Sequence, residues 1–160
     1  MNKRIDVNEE ARYAELQMMA LDFAREGKTK DLEAMLSHGM NINLQTHKDD
    51  TLLMLSSYNG YLETTKMLIA YGADLNQKNQ RGQTPLEGVC FKGNLGMVKL
   101  LVENNANVEG SAIIYASMFG NVEIVNYLEE RSKNMKVSRI LGFKATSIVA
   151  ITSKIRNVIT

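Results

Sequence analysis

Apolar and polar positions along this chain follow a helical rhythm, and the rhythm itself recurs. The segments TLLMLSSYNG at 51–60, TPLEGVCFKG at 84–93 and SAIIYASMFG at 111–120 are versions of one pattern: a hydroxyl residue opens a small-residue stretch and glycine closes it. Thr51, Thr84 and Ser111 can each accept a backbone N–H at a helix start. Gly60, Gly93 and Gly120 can take the left-handed conformation that stops the helix, so each segment predicts a helix of about nine residues. Small residues at Ser56 and Ser57, Val89 and Cys90, and Ala116 and Ser117 allow neighbouring helices to approach closely. After each glycine a second helix is expected, carrying first Leu62, Met67 and Leu68, then Met97, Val98, Leu100 and Leu101, then Val122, Val125 and Leu128 at helical spacing. Gly39 and Gly72 end this second helix.

The period follows by subtraction. Gly27, Gly60 and Gly93 step by 33, and Gly120 follows after 27. Gly39, Gly72 and Asn105 also step by 33, as do Ala20, Leu53 and Leu86, with Ile113 following after 27. A fixed period of this size marks stacked supersecondary units, each too small to bury its apolar face alone. Loops at 40–50 and 73–83 should project, whereas the shortened third junction, between Asn105 and Ser111, should be a tight turn. At the front, Asn8 with Glu9 and Glu10 reads as a helix start, and Leu16, Ala20, Phe23 and Ala24 share a face of a helix longer than its repeats. At the back, Leu141, Ala145, Ile148, Ile151, Ile155 and Val158 fall roughly on one stripe. One or two helices are expected between Lys136 and Thr160, although Ile, Val and Thr oppose helix formation there.

These segments resemble the ankyrin repeat, whose 33-residue unit opens with T-P-L-H-x-A. The closing segments GMNIN at 39–43, YGADLN at 71–76 and NNANVE at 104–109 resemble its G-A-D-V-N end. The resemblance covers roughly residues 14–130, with period, opening and close in phase. It implies an all-α solenoid of helix-turn-helix units with projecting loops and a C-terminal capping segment. The expected division is a repeat domain at 1–132, with repeats near 14–45, 46–78, 79–109 and 110–132, followed by a basic tail at 133–160 that forms a helical cap. The histidine slot of the family holds Met54, Glu87 and Ile114 here, and only Pro85 keeps the proline. A weaker polar tie between repeats, and a less rigid stack, are therefore expected.

Composition narrows the function more than the fold. The chain has 160 residues, and 19 Lys and Arg nearly balance 18 Asp and Glu, so no global field draws it to nucleic acid or membrane. The balance hides an asymmetry: residues 1–130 hold all 18 acidic groups and 12 basic ones, net −6, whereas 131–160 hold 7 basic groups and no acid, net +7. No secretory signal and no stretch of eighteen apolar residues is present. One cysteine, Cys90, fits a reducing compartment, and the cytoplasm is the expected location.

Catalytic chemistry finds little support. His38 and His47 lie in loops without a helically spaced carboxylate, and the cluster of His47, Asp49 and Asp50 reads as a solvated turn more readily than as a cation site. Cys90 has no histidine partner nearby and reads as a buried structural thiol. No phosphate-cradling or nucleophile-elbow motif occurs. No enzyme activity, cofactor or metal is expected.

The expected work is binding. The resemblance places a partner on a concave face built from loop tips and the exposed side of each first helix. The tips are His47, Lys48 and Asp50, then Gln80, Arg81 and Gln83. The helix positions before each glycine are Arg25 and Glu26, Tyr58 and Asn59, Phe91 and Lys92, and Met118 and Phe119. Tyr58, Phe91 and Met118 share one register, with Phe119 adjacent, and are expected to form a column of the kind interface cores favour. The alternative is that the C-terminal tail folds back over them. A protein partner is therefore expected, with a monomer as the resting state. The competing reading is an anionic surface, nucleic acid or membrane, bound through the basic tail with Ile148, Val149, Ile151 and Ile155.

Overall fold

A computed structural model describes residues 7–131; the N-terminal residues 1–6 and the expected capping segment at 133–160 lie outside the described residues. The described residues form eight α-helices: α1 (Val7–Glu26), α2 (Thr29–Ser37), α3 (Leu52–Tyr58), α4 (Leu62–Ala70), α5 (Pro85–Lys92), α6 (Leu95–Glu103), α7 (Gly110–Met118) and α8 (Val122–Arg131). They make four consecutive helix pairs, as the period requires. One antiparallel bridge, Gln45 with Thr51, is the sole β pairing among the described residues. The chain divides into two compact units, Met1–Gly82 and Gln83–Thr160.

In the first unit α1 packs on α2 and α3, α3 on α4, and α2 on α4. Helix α1 is 20 residues long. It begins at Val7, so Asn8 lies within its first turn rather than ahead of it. Ala20 and Ala24 are fully buried, whereas Leu16, expected on the same face, is 37% exposed. The small alanines let α3 approach, and helix packing at this distance leaves the longer Leu16 at the margin. Thr51 caps α3 as expected, accepting from the Met54 N–H at 3.1 Å. The hydroxyls of Thr29 and Thr64 lie 2.7 Å apart between α2 and α4, and those of Ser56 and Thr65 lie 3.0 Å apart between α3 and α4. These four hydroxyls thus have partners between the helices, which keeps their burial from being costly.

In the second unit α5 packs on α6 and α7, α7 on α8, and α6 on α8. Leu86, Val89, Val98, Leu101, Ala112, Ala116, Val125 and Leu128 form its core, each at most 1% exposed. Thr84 and Glu87 make a reciprocal capping box at the start of α5, with Pro85 in the first turn where its missing N–H costs nothing. The fourth repeat departs from the sequence expectation. Helix α7 starts at Gly110 with Glu109 as its cap residue, so Ser111 lies inside the helix and caps nothing. Its Oγ donates instead to Oε1 of Glu87. The weakened tie expected from the lost histidine is corrected at this junction: a carboxylate supplies the bond in its place.

Glycine register carries a second inter-repeat device. Gly27 and Gly93 both have positive φ, at 74° and 77°. A Cβ on Gly27 would stand 2.3 Å from Cδ1 of Tyr61, and one on Gly93 would stand 2.6 Å from Oδ1 of Asn121. The residue following one repeat's glycine therefore lies against the previous repeat's glycine, and only hydrogen fits. In the register of Gly39 and Gly72, Asn105 also takes positive φ, at 71°. Asparagine tolerates that conformation better than other side chains.

The loops follow the period as well. Residues 38–51 connect α2 to α3 and residues 71–84 connect α4 to α5, whereas only 104–109 connect α6 to α7. The shortened junction is the tight one, as the missing residues require.

Candidate functional site

Of the residues expected to face a partner, those of the first unit fall into a tip cluster and a helix-end patch. The two long loops are stitched together at their tips. Gln80 donates its backbone N–H to the Lys48 carbonyl at 3.1 Å and its side-chain amide to the His47 carbonyl at 2.8 Å. Asn79 donates to Oδ1 of Asp50 at 2.7 Å, which commits that carboxylate to holding the loops rather than to a ligand. Asp49 takes φ 61° to close the first tip. The backbone is thus pinned from within, and the side chains of His47, Lys48, Gln80 and Arg81 stand exposed on it. Asp50 and Gln83 are only partly exposed. At the helix ends Arg25 and Asp22 pair with one another, while Glu26 pairs with Lys28 at 2.7 Å. Tyr58 is 40% exposed beside exposed Asn59, whose amide donates to the Leu55 carbonyl at 2.8 Å.

In the second unit the structure brings three of the expected residues into one patch. The rings of Phe91 and Phe119 meet edge to face, with centroids 4.3 Å apart and planes at 63°. Each remains 37% exposed, and Met118 beside them is 53% exposed. Phe91 is the penultimate residue of α5 and Phe119 follows α7, so the α5–α7 packing that the Glu87 bond secures also sets the aromatic pair. Helix α7, GSAIIYASM, carries no charged residue, and exposed Lys92 lies next to Phe91. An edge-to-face pair of half-exposed rings is rigid and apolar, two properties that lower the ordering cost of binding.

Other large apolar side chains are exposed that the sequence had not assigned to a partner, among them Leu62, which was expected on the apolar face of α4. Tyr61 and Leu62 are 37% and 41% exposed in the first unit, and Ile114 is 41% exposed in the second. Ile114 shares its register with Met54 and Glu87, which are 7% and 3% exposed, so register alone pointed to an interior position. Tyr127 lies between two cations, with Nζ of Lys99 at 5.7 Å and the guanidinium of Arg131 at 5.5 Å from its ring centre. Cys90 is fully buried, and desolvation, with Glu87 nearby, pushes its thiol up to about 12. A thiol so raised is protonated at any physiological pH and makes a poor nucleophile.

Among the described residues no three His, Cys, Asp or Glu side chains gather as a metal site would need, and no helix is long and apolar enough to cross a membrane.

Comparison with known proteins agrees with the geometry. The family of ankyrin repeats, three copies, matches residues 53–139, just over half the chain. An ankyrin repeat protein of Pseudomonas aeruginosa is 46% identical over 46 residues. That match covers 29% of this chain and 27% of the relative, so the chain spans little more than a quarter of that protein's length.

Proposed function

The chain belongs to the ankyrin repeat family, and from that premise we propose that it binds a partner protein through the exposed ends of its first helices and the loop tips. Repeats of this kind generally serve as protein–protein interaction modules. The observation that carries the reading is the Phe91–Phe119 pair, held edge to face at 4.3 Å and still open to solvent, with Met118 alongside. Monomeric proteins rarely leave clustered large apolar side chains exposed without use, and aromatic anchors with a flanking cation are what interface centres contain. Phe91, Met118 and Phe119 would be the anchors, with Lys92 at their edge. The first unit would offer a contact surface of its own, Tyr58 and Asn59 with His47, Lys48 and Arg81, and Gln83 would add a polar contact in the second unit. The partner is a protein presenting an apolar segment, and the site of action is the cytoplasm.

The test compares affinity capture by the wild-type chain with capture by Phe91→Ala and by Tyr58→Ala plus Phe91→Ala, each first shown to melt normally. A partner retained by wild type and lost from both variants supports the reading, and direct titration of that purified partner should then show weakening of at least about tenfold for Phe91→Ala. Undiminished capture by both variants overturns it. A steep fall of binding with salt, unaffected by either variant, would transfer the function to an anionic surface and the basic residues after 130.

A further inference from the structure

The register of the first helices singles out one face of α7. Met54, Glu87 and Ile114 occupy the same position in three successive repeats, yet they are 7%, 3% and 41% exposed. Within the second unit the reason is visible: the Glu87 position of α5 faces α7, where Ser111 donates to it. The same position on α7 therefore faces the side where the next layer of the stack would lie. There the chain places isoleucine, an apolar side chain suited to being covered. Helix α8 differs from its counterparts in the complementary sense. Where α4 has Ile69 and α6 has Val102, α8 has Glu129, followed by Glu130. From Glu103 to Arg131 there are five carboxylates (Glu103, Glu109, Glu123, Glu129 and Glu130) against Arg131 alone, net −4.

The chain continues past Arg131 with residues of matching character. Residues 132–160 carry six basic groups (Lys133, Lys136, Arg139, Lys144, Lys154 and Arg156) and no acid, net +6. Between them run Ile140, Leu141, Phe143, Ile148, Val149, Ile151 and Ile155.

We propose that residues 138–158 dock on the outer face of the fourth repeat, covering Ile114 with their apolar side chains and setting their cations against Glu129 and Glu130. Apolar burial supplies the driving force and charge sets the orientation, because separated surface charges are screened beyond about 8 Å at physiological salt. The docked segment replaces the missing next repeat. It leaves the Phe91–Phe119 pair, on the end of the helix rather than its outer face, to a partner.

Hydrogen–deuterium exchange on the full chain tests this directly. Amides in 138–158 should exchange at least about tenfold more slowly than in an unstructured peptide, independently of protein concentration. Ile114→Asp, a change at a half-exposed position, should return them to the unstructured rate while α5 and α6 keep their protection. Ile151→Asp, a change outside the repeat sequence, should do the same and also speed exchange in α7. Unprotected 138–158 in the wild type would overturn the proposal, and so would protection that survives both substitutions. Protection that grows with protein concentration would overturn it too, assigning the face to a second copy of the chain.

Discussion

Ser111 on α7 donates its hydroxyl to the Glu87 carboxylate on α5, whose other oxygen accepts the Thr84 N–H at 2.7 Å. One buried side chain thus caps its own helix and binds the next repeat. A carboxylate only 3% exposed is tolerable because both oxygens are engaged by donors.

Removing either partner should therefore cost more than an ordinary surface bond. Glu87→Ala loses the capping box and the inter-repeat bond together, an expected loss of about 2–3 kcal/mol. Ser111→Ala strands one carboxylate oxygen in a dry site, at about 1–3 kcal/mol. Glu87→Gln should be milder, because an amide oxygen can still accept from Thr84 while Ser111 turns to accept from the amide nitrogen. Urea unfolding of the three variants, with the double variant completing a cycle, checks both order and coupling; additive losses would show that the bond contributes nothing.

The repeat architecture was legible because it rests on spacing. Each glycine register returned as positive φ, and Asn105 kept it without glycine. The small-residue slots were legible for the same reason: Ser56, Ser57, Val89, Cys90, Ala116 and Ser117 are all at most 1% exposed. What the pattern did not reveal were pairings that depend on which atom faces which. Ser111 looked like a helix cap because it shares the register of Thr51 and Thr84, yet the shortened junction starts α7 two residues earlier than that register, at Gly110, and turns the Ser111 hydroxyl to Glu87. The exposure of Phe91, Met118 and Phe119 was legible by position, while the edge-to-face contact of the two rings needed coordinates. On α8, Val125 and Leu128 are buried as their spacing led one to expect, Ile124 joins them, and Val122 is 44% exposed.

Burial of Cys90 yields a pH dependence with a definite sign. Its thiol is raised from 9.0 to about 12, chiefly by desolvation, so between those values the unfolded chain releases a proton that the folded chain keeps. A raised acid favours unfolding there: this contribution is absent below pH 9 and grows by about 1.4 kcal/mol for each pH unit above it, until the folded thiol also ionises. Tyr and Lys titrate in the same range, so the measurement is a difference. Wild type should lose more stability than Cys90→Ala between pH 8 and pH 10, by about 1.4 kcal/mol. Native-state labelling by a thiol reagent at pH 8 should likewise be far slower than labelling of the unfolded chain. Equal pH slopes for the two proteins, or labelling at the unfolded rate, would refute the assignment of a dry thiol.

Gly93 and Gly120 have nearly the same backbone, φ 77° and 73°, but different surroundings. A Cβ at Gly120 would meet nothing within 4 Å, whereas at Gly93 it would press on the Asn121 side chain, whose amide donates to the Cys90 carbonyl at 2.9 Å. Gly120→Ala should therefore show only the left-handed strain, about 1 kcal/mol. Gly93→Ala should show that strain plus the displaced Asn121 bond, about 2 kcal/mol in all. Thermal melts should separate the pair by several degrees, given the steep dependence of melting temperature on stability in small units. The cause is checked by adding Asn121→Ala to each background. It should cost about 1 kcal/mol in wild type and in Gly120→Ala, and close to nothing in Gly93→Ala, where the bond is already broken. An equal cost in all three backgrounds would mean that Asn121 moves aside without losing Cys90, and that the glycine at 93 is required by its backbone alone.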